Sequence, residues 1–141
     1  MTCIFCKIVS GQITCHRVHE DKHTLSFLDV GPLARGHTLV IPKSHYATLD
    51  QMPAELAGKC MQIVARIAPA ILIATGAKAW NVLQNNGREA QQSVDHVHFH
   101  IIPRQTGDSI GYRWNASKLD ESNARSLRDA IENALNADAF G

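Results

Sequence analysis

No apolar run in this 141-residue chain reaches the roughly 18 residues that a bilayer crossing needs, so a transmembrane segment is not expected. Charge of one sign is missing as well. Fourteen Lys and Arg against 13 Asp and Glu leave a formal charge of +1, too little for a sequence-blind pull toward nucleic acid or a membrane surface. The first residues, MTCIFCKIVSG, lack the apolar stretch and small-residue cleavage site of a secretory signal, and a cytoplasmic setting is the expectation. There is no internal repeat and no biased segment. With 45% hydrophobic and 19% charged residues, the composition excludes a disordered tail and points to one domain over residues 1–141. Cysteines number only four, Cys3, Cys6, Cys15 and Cys60. In a reducing compartment they are thiols or metal ligands before they are disulfides. What the chain does have in excess is histidine, with eight.

Periodicity supplies the elements. Residues 3–10 form a short amphipathic helix closed by Gly11. Residues 16–20 and 23–28 read as two strands around a Glu20-Asp21-Lys22 turn. GPLARGH is a loop, and HTLVIP (37–42) is a buried strand ended by Pro42. From Pro53, Leu56, Cys60, Ile63, Val64, Ile67 and Ile71 recur at helical spacing, with Asp50 as the expected cap and Gly76 as the stop. Pro69 is expected to kink this helix or end it early. WNVLQN (80–85) is a short strand, NNGREAQQ a polar loop, and VDHVHFHIIP (94–103) the clearest strand. A last amphipathic helix over about 120–136 carries Leu119, Leu127, Ile131 and Leu135 on one side. Strand runs with segregated helices give an α+β fold with an antiparallel sheet of about five strands, one long helix and one C-terminal helix.

The 94–103 strand carries the chemistry. Alternate side chains share a face, so His96, His98 and His100 form a row about 13 Å long, backed by Val97, Phe99 and Ile101 on the other face. The apolar set can pack under a helix while the imidazoles face a cleft. Such a row could grip a metal or line a site for an extended anionic group. A neutral imidazole offers a lone pair as nucleophile or base near pH 7, and ring N–H groups can stabilise charge on phosphoryl oxygens. Asn85, Asn86, Gln92 and Ser93 in the preceding loop supply neutral donors, beside Gly87. On local grounds alone Asp29, before Gly-Pro, is a turn former.

The run Gln92-Ser93-Val94-Asp95-His96-Val97-His98-Phe99-His100-Ile101-Ile102 resembles the signature of the histidine-triad (HIT) superfamily. CIFCKIVSG, FLDVGPLARGHTLVIPKSH and the NNG loop resemble its Hint-like branch, in the same order, over residues 3–104. The resemblance implies a HIT-like fold, a homodimer, and binding of a purine nucleotide or nucleoside phosphoramidate, with no nucleic-acid or membrane partner and no organic cofactor. It implies hydrolysis at the α-phosphorus of nucleoside phosphoramidates or adenylated small molecules, releasing a nucleoside monophosphate. His98 matches the nucleophile that forms a nucleotidyl-histidine. His100 and His37 match positions that contact the phosphate and handle protons. Ser93 and Asn85 match groups that bond the phosphoryl or leaving group, with Gln92 beside them. Asp29 matches the residue on the ribose hydroxyls, a task a carboxylate suits. Ile4, Phe5, Ile8, Phe27, Leu28 and Val30 match the slot for the base. In the nucleotidyltransferase branch the third triad position is glutamine; here it is His100, which points to hydrolysis.

Some positions depart from the pattern. Gln91 stands where the family usually has glycine, Asp95 precedes the triad on the opposite parity, and the stretch 107–141 is a partly helical extension whose Tyr112 or Trp114 is expected to reach a neighbouring subunit. Cys3 and Cys6 alone leave chance, redox and zinc readings open. The resemblance to bacterial-type members with this Cys-x2-Cys pair implies a structural zinc held by Cys3, Cys6, His45 and His96, a sound tetrahedral set. Cys60 falls on the helix's apolar spacing and reads as core. Two other functions compete: a catalytically quiet nucleotide sensor or scaffold dimer, and a catalytic metal bound by His96, His98 and His100 together.

Overall fold

The computed structural model describes residues 2–111 and 116–137, in two compact units, Met1–Ile110 and Gly111–Gly141. In the first unit helix α1 (Ile4–Val9) begins at Cys3, whose Sγ accepts the Cys6 N–H at 3.4 Å in place of the usual hydroxyl cap. Strands β1 (Arg17–Glu20) and β2 (Thr24–Leu28) form a hairpin. Its turn is built by Asp21, whose Oδ1 accepts from the backbone N–H groups of His23 and Thr24 and from the Thr24 hydroxyl. Strand β3 (Thr38–Pro42), helix α2 (Ala54–Thr75), strand β4 (Ala79–Gln84) and strand β5 (Phe99–Arg104) complete the unit. The five strands run antiparallel in the order β1-β2-β3-β5-β4.

The sheet divides the core in two. On one face Val40, Val97, Phe99 and Ile101 pack under α2 against Cys60, Ile63, Val64, Ile67, Ala68 and Ile71. On the other, Leu25, Phe27, Leu39 and Ile41 pack with Phe5 of α1. His100 pairs with Leu39 and so lies on the α1 face. The expected apolar backing of the histidine row is therefore present.

Three local expectations are corrected. The histidine strand is shorter than 94–103: the ladder opens only at Phe99, because β4 ends at Gln84 opposite it and the β3 register ends at Val40. Upstream, the His96 N–H turns back to the Val94 carbonyl and the Val97 N–H bonds to Tyr46, both at 2.8 Å. Asp50 does not cap α2; it sits in a separate 3-10 turn, Leu49–Gln51, and Pro53 takes the cap position without a side-chain bond. Nor does Pro69 end α2, which runs on to Thr75 and stops at Gly76 in the left-handed conformation. Four buried aliphatic side chains, Ile63, Val64, Ile67 and Ile71, contribute roughly 1.5–3 kcal/mol each, which exceeds the roughly 3 kcal/mol that a helical proline costs.

By length and composition α2 is also apolar enough to cross a membrane, contrary to the reading of the bare sequence. Its buried stripe faces the sheet, as in a core helix. The second unit holds α3 (Glu121–Ala137), capped by Asp120, whose Oδ1 accepts the Ser122 N–H at 3.0 Å. Tyr112 and Trp114 lie outside the described residues.

Candidate active site and metal centre

Although only His100 lies within the ladder, the three triad rings keep to one side. Phe5 meets His96 and His98 edge-on, with ring centroids 5.8 and 5.1 Å away, and His98 meets His100 at 4.9 Å. His96 and His98 are buried and do not face open solvent, because α1 is laid over them through Phe5.

Hydrogen bonds then give each ring a different job. His98 Nδ1 lies 2.7 Å from the His96 carbonyl, so Nδ1 must donate and Nε2 keeps its lone pair. His37 Nδ1 accepts the Leu33 N–H at 3.0 Å, which places its proton on Nε2. That proton points at His100 Nδ1, 2.9 Å away, with Asp29 Oδ2 at 3.5 Å. His100 Nδ1 is thus the acceptor, and His100 carries its own proton on Nε2. Burial pulls the pKa of His98 below the usual imidazole value, and that of His37 likewise. His100 falls to about 4 through burial, then through the neighbouring His98 and His37 rings. At neutral pH the row is uncharged: a free ring lone pair stands beside a ring N–H donor. This arrangement can attack an electrophile and steady a developing negative charge.

His96 turns away from that pair. Its Nε2–H donates to the Pro42 carbonyl at 2.9 Å, so Nδ1 faces Cys3 Sγ at 3.4 Å, Cys6 Sγ at 3.6 Å and His45 Nδ1 at 3.1 Å; Cys6 Sγ and His45 Nδ1 are 3.4 Å apart. Ligand atoms around a tetrahedral ion with bonds of about 2.0–2.3 Å stand about 3.3–3.8 Å from one another. The four donors are spaced to hold such an ion with little movement, and their chemistry, two thiols and two imidazole lone pairs, suits one. Asp29, His37 and His100 also lie close enough to share a cation, but the His37 proton already joins them. His98 belongs to neither group, so the row does not converge on a single metal.

The other predicted residues divide. Asp29 stays near the reacting rings and takes the Gly31 N–H on Oδ1. Ser93 is exposed and shares a cleft of about 350 Å3 with Ile4, Cys3, His45, Val94 and Asp95. Asn85 follows the end of β4, which the Gln84–Phe99 pairing sets beside the start of β5. Gln92 is buried and wholly occupied: its Nε2 donates to the Ala47 and Val94 carbonyls, and its Oε1 accepts the Gly87 N–H. It shapes the loop, with both ends of its amide engaged by the main chain. Of the apolar slot, Phe5 and Phe27 are core at 7% and 4% exposure, while Ile4, Leu28 and Val30 remain open at 45%, 39% and 92%. Ile8 lines a separate cleft of about 520 Å3 with Val9, Ile13, Cys15 and Leu25. Gln91, where glycine was expected, adopts the left-handed conformation regardless, at φ 67°. Side-chain patterns could not have marked the groups that set the tautomers, since these are main-chain atoms: the His96 and Pro42 carbonyls and the Leu33 N–H.

The geometry has close counterparts. The family model for the HIT domain matches residues 10–107. An adenosine 5'-monophosphoramidase of Schizosaccharomyces pombe is 40% identical over 96% of this chain and 99% of its own. A HIT family protein from Bacillus subtilis has been solved with 40% identity and a TM-score of 0.88, covering 94% of this chain and 96% of that one. A Zn-bound histidine triad family protein from Mycobacterium smegmatis gives 38% identity and a TM-score of 0.75, covering 98% and 99%.

Proposed function

The chain belongs to the HIT domain family, and from that premise we propose that it is a nucleoside phosphoramidase-like hydrolase acting at the α-phosphorus through a covalent nucleotidyl-histidine. The observation that carries this reading is the 2.7 Å bond from His98 Nδ1 to the His96 carbonyl, which assigns the ring proton to Nδ1 and leaves Nε2 its lone pair. Nε2 attacks phosphorus, the P–N bond breaks, and its electron pair leaves on the amine nitrogen, which takes up a proton from solvent that the attacking water gives back in the second step. The His100 Nε2–H stabilises the phosphoryl oxygens as a neutral donor. Ser93, exposed upstream of the triad, bonds the departing group, and Asn85 holds the phosphoryl side. Water then cleaves the His98–phosphorus bond, releasing the nucleoside monophosphate and restoring the ring. His37 and Asp29 keep His100 in the donating tautomer, and Asp29 retains an exposed edge for ribose hydroxyls. The base lies on the open apolar surface of Ile4, Leu28 and Val30. The monophosphoramidase name of the fission yeast relative supports the substrate class.

Zinc at Cys3, Cys6, His45 and His96 is part of the same proposal, supported by the tetrahedral spacing and by the Zn-bound mycobacterial relative. With four protein ligands it would be structural, tying α1 to the triad segment. Its thiolates need a reducing compartment, in keeping with a cytoplasmic setting. A homodimer is proposed through β4, which among the described residues is an edge strand paired with β5 and carries the exposed Val82 and Leu83.

The test is mass spectrometry of protein quenched during turnover of an adenosine phosphoramidate. One nucleotidyl unit is expected on the peptide containing His98, and none in His98→Ala, which should bind nucleotide but not turn over. Turnover that persists in His98→Ala would refute the mechanism. Tight nucleotide binding without turnover in the natural protein would instead favour a quiet sensor.

A further inference from the structure

His96 is the one residue that belongs to both halves of the site. Its ring Nδ1 faces the thiols and His45, while its carbonyl accepts the hydrogen bond that leaves His98 Nε2 unprotonated. We propose that His96 is a positioning residue for His98, so that an ion bound by Cys3, Cys6, His45 and His96 sets the tautomer and orientation of the nucleophilic ring.

The reason lies in where this segment sits. Residues 94–98 are outside the β-ladder, so regular strand pairing does not hold the His96 carbonyl. It is held by the short return bond from the His96 N–H to Val94, by the neighbouring Val97 N–H on Tyr46, and by the His96 ring itself. The ring is fastened at Nε2 to the Pro42 carbonyl and at Nδ1 only by whatever the thiols and His45 share with it. A ring tied at one nitrogen can pivot; a ring tied at both cannot. Two further links run the same way. Tyr46, which takes the Val97 N–H, follows the ligand His45 directly. Phe5, lying between Cys3 and Cys6 on a six-residue helix too short to be stable alone, presses edge-on against both His96 and His98. An ion that pins α1 and the His45 loop therefore pins Phe5, the His96 ring and the Tyr46–Val97 link, three of the supports around the His98 ring.

The inference rests on the nucleotidyl-histidine reading for its effect on rate, but its first readout does not. Protein labelled with 15N histidine is compared with bound zinc, after chelation, and after zinc is restored. The ring nitrogens of His98 report the tautomer directly. Zinc-loaded protein should show a protonated Nδ1 and a bare Nε2; the zinc-free protein, still folded by circular dichroism, should show the two tautomers exchanging. Cys3→Ser provides the matching variant, since serine preserves the helix cap while removing a soft ligand. Its kcat should drop on the order of tenfold with KM changed less than twofold, and zinc should restore little of it. His98 signals that are identical in folded, zinc-free protein overturn the proposal. Global unfolding on zinc removal overturns it too, because the ion would then be holding the fold and not this ring. Should Cys3→Ser fail to fold, His45→Gln, altered at an exposed ligand, takes its place with the same expected outcomes. A natural protein that shows no turnover at all refutes the nucleotidyl-histidine reading, while the ring spectra still decide the coupling.

Discussion

Acid should unfold this protein through His100, and the size of the effect can be worked out in advance. The ring has an ordinary pKa of 6.5 in the unfolded chain and about 4 in the fold. Between those values the unfolded chain binds a proton that the native state refuses, so falling pH favours unfolding. The stabilisation is complete above about pH 6.5, is lost progressively as pH falls toward 4, and changes no further below that. At pH 4.5 the loss amounts to about 2–3 kcal/mol from this ring alone. His100→Asn keeps an acceptor for the His37 Nε2–H but cannot take a proton. Urea unfolding of both proteins at pH 7.0 and 4.5, each freed of metal by chelation so that metal release on acidification cannot contribute, isolates the effect of His100. The natural chain should lose about 2 kcal/mol more than the variant between the two pH values, with the remaining acid sensitivity of His37 and His98 common to both. Parallel losses, within about 0.5 kcal/mol, would mean that His100 titrates as it does in water, and the neutral-donor role given to it would fall.

Two backbone predictions follow. Gln91→Gly should stabilise the fold by about 0.5–1 kcal/mol in urea unfolding, because a left-handed non-glycine residue stores about 1–2 kcal/mol and the looser unfolded chain returns part of it; a loss of stability would show that the Gln91 side chain makes a favourable contact. Gly36→Ala should cost about 2–4 kcal/mol and depress turnover, since its Cβ would come within 2.5 Å of Thr75 Cγ2 at a φ of +89°, in the residue that directly precedes His37; an unchanged urea midpoint would refute it.

Much of this was legible from residue types. Alternation set His96, His98 and His100 apart from Val97, Phe99 and Ile101, and that division holds even where the strand itself does not form. Helical spacing found α2, whose buried side chains fall on Cys60, Ile63, Val64, Ile67 and Ile71 as the period requires. The strand start could not be read, because it depends on where β3 and β4 stop, far off in sequence. Gln92 is polar and close to the triad, which in sequence looks like a ligand contact; only the fold shows its amide spent on Ala47, Val94 and Gly87. Phe5 and Phe27 read as a base slot, but a side chain that fills the space beneath a ring cannot also be open to a ligand above it.

Three identical side chains at identical spacing end with three different chemistries, and the main chain makes the difference. A neutral imidazole has one proton for two nitrogens, so whichever nitrogen meets a carbonyl becomes the donor and the other is left as a base. The Pro42 carbonyl takes the Nε2 side of His96 and turns Nδ1 toward the thiols; the His96 carbonyl takes the Nδ1 side of His98 and frees Nε2 for attack. His100 meets an N–H instead, supplied by His37, which was itself set by the Leu33 N–H, so it becomes the donor. One reversed bond in this series would turn nucleophile into donor without altering any side chain. Burial keeps the series from being reset by solvent protons, since it lowers the pKa of all three triad rings and of His37. The low pKa of the row and its fixed tautomers thus have separate sources, burial for the one and main-chain partners for the other, and they meet at His98, where Phe5 of α1 lies against a ring whose proton the His96 carbonyl has already placed.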